Sequence, residues 1–240
     1  MQRILITGSN RGIGLELVRR YLRREDTLIF ATCRNPQAAA PLQALAAQHP
    51  HRLLILRLEV TDAGQIVEAV TAVRIKVDGL DLLINNAGTY AGRVGDADPQ
   101  VTQFGALEVG PMLDMLRVNT VAPLMMAQAF ADLLRRGHNP RLVNVSSDAG
   151  SLTMWDGGAY TYPASKTALN MFTRCLAHDL RADGITVISL HPGFIQTDMG
   201  GPRATLTLDE AIPGVIRVID NLAPGDSGQF LNWDGSRVPW

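Results

Sequence analysis

Tyr162 and Lys166 stand four residues apart, in Tyr-Pro-Ala-Ser-Lys, at the start of an apolar-periodic stretch. Four residues is about one helical turn, so the two side chains would stack on one helix face. A phenol of ordinary pKa, about 10, is a poor acid or base near neutral pH. A neighbouring ammonium favours the phenolate and is expected to pull that pKa down toward the working range. The pair is therefore a candidate general acid/base. A lone YxxxK is more often a chance surface pair, so its neighbours in the sequence must decide.

The second chemical feature is Thr7-Gly-Ser-Asn-Arg-Gly-Ile-Gly14, which joins a β-rich run to a helical pattern. Its glycines, at 8, 12 and 14, allow a tight turn and a close backbone approach. The helix start beyond them would present free N–H groups and a positive dipole end to a pyrophosphate. In such a fold the ribose-reading residue follows about twenty residues later. Here that zone reads Thr32-Cys33-Arg34-Asn35, without a carboxylate to bind a 2′-hydroxyl. Arg34 can instead make a charge-assisted bond to a 2′-phosphate, and Arg11 could reach the same group. NADP(H) is thus favoured over NAD(H).

The elements that must position these residues follow from pattern. Strands are expected at 3–7, 27–32, 53–60, 80–85, 141–146, 185–191 and 229–233. Helices are expected at 13–24, 37–48, 64–76, roughly 107–136, about 160–182 and 209–222. The strands are nearly continuous apolar runs, as strands covered on both faces require. Alternating β and α runs predict an α/β fold, a Rossmann-type doubly wound parallel sheet of about seven strands with helices on both faces. Neither a repeat nor a linker stands out, so one domain over 1–240 is expected.

Composition narrows the partners. A formal net charge of −1 over 240 residues makes no electrostatic case for nucleic acid or an acidic membrane surface. The longest apolar run, 121–134, is broken by Pro123, Gln128 and Asp132, so no transmembrane span is expected. A strand pattern beginning by Arg3 leaves no room for a signal peptide. Cys33 and Cys175 lie in no CxxC or metal-ligand spacing, and the five histidines carry no metal signature. A reducing, cytoplasmic setting without a metal site is the expectation.

Taken together the motifs resemble the short-chain dehydrogenase/reductase superfamily. They stand in family order: TGSNRGIG at 7–14, NNAG at 85–88, Asn119 in RVNTVAP, VNVSSDAG at 143–150, YPASK at 162–166 and HPGFIQTDM at 191–199. The segments CRN at 33–35 and GQFLNWDGSRVPW at 228–240 look like the Sniffer-type and C-factor-like carbonyl reductases. The resemblance implies NADPH-dependent reduction of aldehydes or ketones, or, alternatively, a cofactor-binding signalling protein with little turnover. It implies a catalytic set of Asn119, Ser147, Tyr162 and Lys166. Ser147 would bind the carbonyl oxygen and Tyr162 would deliver the proton. Lys166 would bind the nicotinamide ribose and start a proton relay, and Asn119 would hold a water in that relay; a side chain bonded to backbone would kink the helix, and a kinked helix can present a carbonyl to that water. Ser146 is the lesser candidate for the serine.

For the cofactor the resemblance implies Gly8, Asn10, Arg11, Gly12, Ile13, Gly14, Arg34 and Asn35. It adds Asn86, Ala87 and Gly88 along the dinucleotide, and Glu59 with Val60 beside the adenine. The family usually has aspartate where Glu59 stands. Pro192, Gly193, Ile195 and Thr197 would hold the nicotinamide end. Met154, Trp155, Phe194 and Met199 are candidate walls of an apolar pocket, whereas Tyr90 and Arg93, in the loop after the fourth strand, count against it because Arg93 could clamp an anion. Residues 200–208 read as a mobile lid. The apolar content of 107–134 and 164–180 predicts a homodimer or homotetramer.

Overall fold

The computed structural model describes residues 1–90 and 104–240; Arg93 lies outside the described residues. Strands β1 (Gln2–Ile6), β2 (Thr27–Cys33), β3 (Leu53–Arg57), β4 (Leu82–Asn85), β5 (Arg141–Val145), β6 (Thr186–His191) and β7 (Phe230–Asn232) form one sheet. Its order is β3-β2-β1-β4-β5-β6-β7 and every pairing is parallel. Helices α1 (Gly12–Leu22), α2 (Ala40–Gln48), α3 (Ala63–Lys76), α4 (Val109–Leu116), α5 (Ala122–Arg135), α6 (Thr161–Asp179) and α7 (Leu208–Asp220) cross over its faces. Strand order reverses between β1 and β4. That point opens a crevice at the carboxyl ends of the strands, where open α/β sheets bind ligands.

Alternating side chains feed two cores. Ile4, Ile6, Leu82 and Ile84 pack with α1 and α7, whereas Leu5 and Leu83 pack with α3 and α5. All seven residues of β2 are buried. This is why the strand sequences read as unbroken apolar runs. No helix among the described residues is long and apolar enough to cross a membrane.

Three differences from the sequence reading have physical causes. The helix expected over 107–136 is divided by a π-helical stretch, Arg117–Val121. Pro123 has no N–H to give the Asn119 carbonyl its ordinary helical partner, so the ladder is already broken there. Residues 36–38 form a separate short turn before α2, capped by Asn35, whose side chain accepts from the Ala38 N–H. Finally, residues 200–208 are not a free lid. Leu206 pairs with Ile195 in a parallel bridge, Thr205 and Leu206 donate to the Phe194 carbonyl, and Ala204 is buried. The backbone there is held by strand-like bonds that glycine and threonine content does not reveal.

Beneath the carboxyl edge of the sheet runs a buried polar chain. Asn85 Nδ2 donates to Asn144 Oδ1 at 2.9 Å, and Asn144 Nδ2 donates to Thr173 Oγ1 at 2.9 Å. Ser189 Oγ donates to the same Thr173 oxygen at 3.0 Å. These bonds tie β4, β5, β6 and α6 in one register just below the crevice. In a low-dielectric interior such a chain specifies geometry, because each broken member leaves a costly unpaired group.

Candidate active site

The crevice is a cleft of about 990 Å³. Four segments of the expected set line it. They are the glycine loop at Gly8 and 10–13, the strand ends at Arg34 and 59–60, the turn 86–88, and the stretch from Pro192 to Thr197. Ser146, Ser147, Tyr162 and Lys166 line its other end. Two expected cofactor residues stand apart. Asn35 caps the 36–38 turn, and Gly14 packs beneath the loop, where a Cβ would collide with the Gly8 carbonyl and approach Asn86 Nδ2 to 2.6 Å.

The groove fits a dinucleotide. Gly8, at φ +66°, lies so close to the turn after β4 that a Cβ would sit 2.9 Å from the Ala87 Cα. Arg11, the N-cap of α1, makes no side-chain cap bond, and the first turn holds no acid. The helix end therefore presents its N–H groups and positive dipole end to the groove. Arg11 pairs with Asp198 at 2.8 Å, and Arg34 lies 3.9 Å from Glu59. Arg11, Asp198 and Arg34 are exposed and Glu59 is half-buried; such rim pairs are weak, so a phosphate could displace either carboxylate. Glu59 is itself held by the Thr61 hydroxyl, 3.1 Å away.

At the other end, α6 carries Tyr162 and Lys166 one turn apart. Lys166 is buried, and its Nζ donates to the Val145 carbonyl at 2.9 Å. It lies 5.7 Å from the Tyr162 ring centroid. Burial lowers the Lys166 pKa to about 8. Burial also pushes the Tyr162 phenol up to about 12, assisted by the charge of Asp148 and by Tyr90, against a hydrogen bond with Ser147 that pulls the other way. The expected lowering of Tyr162 by Lys166 does not arise in this geometry: desolvation sets the direction, and Ser147 is the group that opposes it. The phenol is held protonated, which is the state a proton donor needs.

The two serines have different surroundings. Ser146 Oγ donates to Asn170 Oδ1 at 2.7 Å in the buried layer. Ser147 Oγ lies in the cleft, where it donates to Asp148 Oδ1 at 3.0 Å. The Asp148 N–H in turn donates to His191 Nδ1 at 3.1 Å, which joins the β5 and β6 ends of the site. Asn119 lies behind the cleft. Its amide exchanges two bonds of 2.8 Å with the Thr89 backbone and donates to Ser165 Oγ at 3.1 Å. The Asn119 side chain is therefore committed to bracing the turn after β4, which leaves the backbone carbonyl of the kinked stretch as the group for the expected water. Of the four apolar candidates, Trp155, Phe194 and Met199 line the cleft, whereas Met154 is exposed outside it.

Sequence reasoning placed Tyr90 beside the pocket without a role, and missed Asn170 and the Asn85–Asn144 pair. The Tyr90 ring meets Tyr162 edge-on, with centroids 5.1 Å apart. Asn85 and Asn144, polar residues inside apolar strand runs, are the signal that pointed there.

A family model for short chain dehydrogenases matches residues 2–206. This chain belongs to the short-chain dehydrogenase/reductase family. It is an oxidoreductase of Rossmann-type fold. The NADPH-bound carbonyl reductase from chicken fatty liver is 40% identical with a TM-score of 0.89, covering 100% of this chain and 99% of that one. The carbonyl reductase Sniffer of D. melanogaster is 34% identical with a TM-score of 0.90, covering 100% of both chains. The C-signal of Myxococcus xanthus is 41% identical over 162 residues, 67% of this chain and 93% of that protein.

The Lys166 pKa yields a test that needs no ligand. A lysine depressed from 10.5 to about 8 is neutral in the folded protein, and charged in the unfolded one, between those values. The unfolded state then binds more protons, so this group makes stability rise with pH across that window, by on the order of 1–3 kcal/mol. Lys166→Met removes that contribution. Melting curves between pH 7 and 10 should show the mutant's advantage over wild type shrinking as pH rises; a constant offset would contradict the depressed pKa.

Proposed function

We propose that this chain reduces aldehyde or ketone carbonyls to alcohols, with NADPH as the preferred cofactor. The observation that carries the reading is the convergence of Ser147, Tyr162 and Lys166 at one end of the cleft whose far end is the glycine loop. Reducing a carbonyl adds a hydride to carbon and a proton to oxygen, and reduced nicotinamide supplies the hydride when bound. The Ser147 hydroxyl turns from Asp148 to donate to the carbonyl oxygen and holds it beside Tyr162. Tyr162, kept protonated by burial, gives its proton to that oxygen as negative charge develops. Lys166 stabilises the phenolate left behind and holds the ribose at the nicotinamide end. The Asn119 side chain acts through Thr89 and Ser165, so any relay water would meet its backbone instead.

The glycine loop and the α1 N-terminus would hold the pyrophosphate, and Arg34 with Arg11 the 2′-phosphate. Asn86, Ala87 and Gly88 would lie along the cofactor, with Glu59 and Val60 beside its adenine. Pro192, Gly193, Ile195 and Thr197 would line its nicotinamide end. Tyr90, Trp155, Phe194 and Met199 offer an apolar wall, which favours neutral, apolar or aromatic carbonyls over sugars and carboxylates.

Likeness to the C-signal favours a second reading, a regulatory protein with little turnover. The intact Ser147, Tyr162 and Lys166 argue for turnover, because binding alone does not require an acid. Tyr162→Phe separates the two. It should keep NADPH affinity while turnover falls by ~10²–10⁴, and turnover within a few-fold of wild type would remove Tyr162 from its role.

Cofactor choice has its own test. Arg34→Asp should repel a 2′-phosphate and move preference toward NADH, read as Kd values for the two cofactors by fluorescence titration. Equal wild-type affinity for NADH and NADPH at moderate salt would overturn the assignment. The reading also includes a homo-oligomer, since Val121, Met125 and Met171 leave an apolar face exposed on and beside α5 and α6. Light scattering should give a dimer or tetramer at micromolar concentration, and a monomer would refute it.

A further inference from the structure

The segment following β6 and α7, residues 228–240, has no part in the chemistry described so far. Its fold is nevertheless specific. After β7 the chain reverses: Leu231 bridges Arg237 in antiparallel sense, and the Val238 N–H donates to the Phe230 carbonyl at 2.8 Å. This reversal brings two tryptophans under the two walls of the catalytic end. Trp233 packs under the turn after β6, where a Cβ on Gly193 would meet its ring at 3.1 Å, and against α7, where one on Gly214 would meet it at 2.7 Å. Trp240 stacks on the buried Phe230 ring with centroids 5.5 Å apart, and the Arg174 guanidinium of α6 lies 5.5 Å from its ring centre.

Trp240 also reaches the loop between the catalytic serine and tyrosine. The Thr153 N–H and hydroxyl both donate to its backbone oxygen, at 3.1 and 2.8 Å. Two residues on, Trp155 lines the cleft, with its N–H donating to the Ser151 carbonyl at 3.1 Å. The same loop ends in Gly157 and Gly158, whose Cβ positions face open space, so packing there gives the chain little support. A loop with glycines at one end and an aromatic wall residue in the middle needs an external anchor to keep that residue in place.

We infer that Trp240 is a positioning residue for the substrate: seated on Phe230 and Arg174, it holds Thr153 and thereby fixes Trp155 as a wall of the cleft. The inference rests on the reductase reading for its effect on turnover, but not for the anchor itself. Substrates that lean on the wall should feel the loss, and small ones should not. The cofactor groove, at the far end of the cleft, should be indifferent.

The test compares wild type with Trp240→Ala, Trp240→Phe and Thr153→Val in the full chain. Amide hydrogen exchange at 153–155 should quicken by about ten-fold or more in Trp240→Ala, as expected when a local tether is lost. The KM for an aromatic aldehyde should rise about ten-fold with kcat within about two-fold, while the KM for a two-carbon aldehyde and the NADPH Kd stay unchanged. Trp240→Phe, which keeps the stack, should restore most of both effects. If Trp240→Ala does not fold, Thr153→Val removes one of the two bonds and should show the same directions at smaller size. Unchanged exchange at 153–155 in the folded variants overturns the anchor. A faster loop with an unchanged aromatic-aldehyde KM overturns the positioning role. A wild type that reduces neither aldehyde overturns the reductase reading, and the exchange measurement still decides the anchor.

Discussion

The site depends on an ammonium held out of water. Lys166 sits buried at the carboxyl edge of the sheet with the Val145 carbonyl as its hydrogen-bond partner. Desolvation there depresses the lysine and raises the tyrosine one turn before it. The two shifts have one cause and serve one end. A protonated phenol and a cation weakly held by its surroundings form a site that answers negative charge when it develops beside them. A solvent-exposed YxxxK pair would have ordinary pKa values and no such preference.

Burial of that kind must be supported, and the support is polar. The chain through Asn85, Asn144, Thr173 and Ser189 locks three strands and α6 together below the cleft. Asn170 holds Ser146 and, through its Nδ2, the Gly150 carbonyl at 3.1 Å, so the turn bearing Ser147 is braced from beneath. Asn119 braces the turn after β4 from the π-helical interruption. The side chains at this end of the cleft thus stand on a layer of asparagines whose amide nitrogens are all hydrogen-bonded. This preorganisation fixes the shape of the cleft before a substrate arrives.

Much of this was legible in the residues. Continuous apolar strands, alternating with helical patterns, specify the doubly wound sheet, and the glycine loop with YPASK locates both ends of the cleft. Less legible were features set by tertiary contact. Asn35 stands beside Arg34 in sequence, but its side chain is needed to cap a local turn. Asn119 has the right place in its motif, yet two backbone groups of Thr89 claim its amide. The direction of the Tyr162 shift depends on how much water the folded cleft excludes, which spacing alone does not encode. The pinning of residues 200–208 to the strand end at Phe194 arises from long-range backbone bonds, invisible to composition.

The central claim is that this constellation turns over a carbonyl. The most direct measurement mixes the purified protein with NADPH and a panel of neutral aldehydes and ketones, and follows cofactor oxidation together with the alcohol formed. The account predicts alcohol appearing mole for mole with NADPH consumed, fastest for apolar and aromatic carbonyls. Tight NADPH binding with no carbonyl on the panel reduced would contradict it, and would leave the fold serving recognition instead of catalysis.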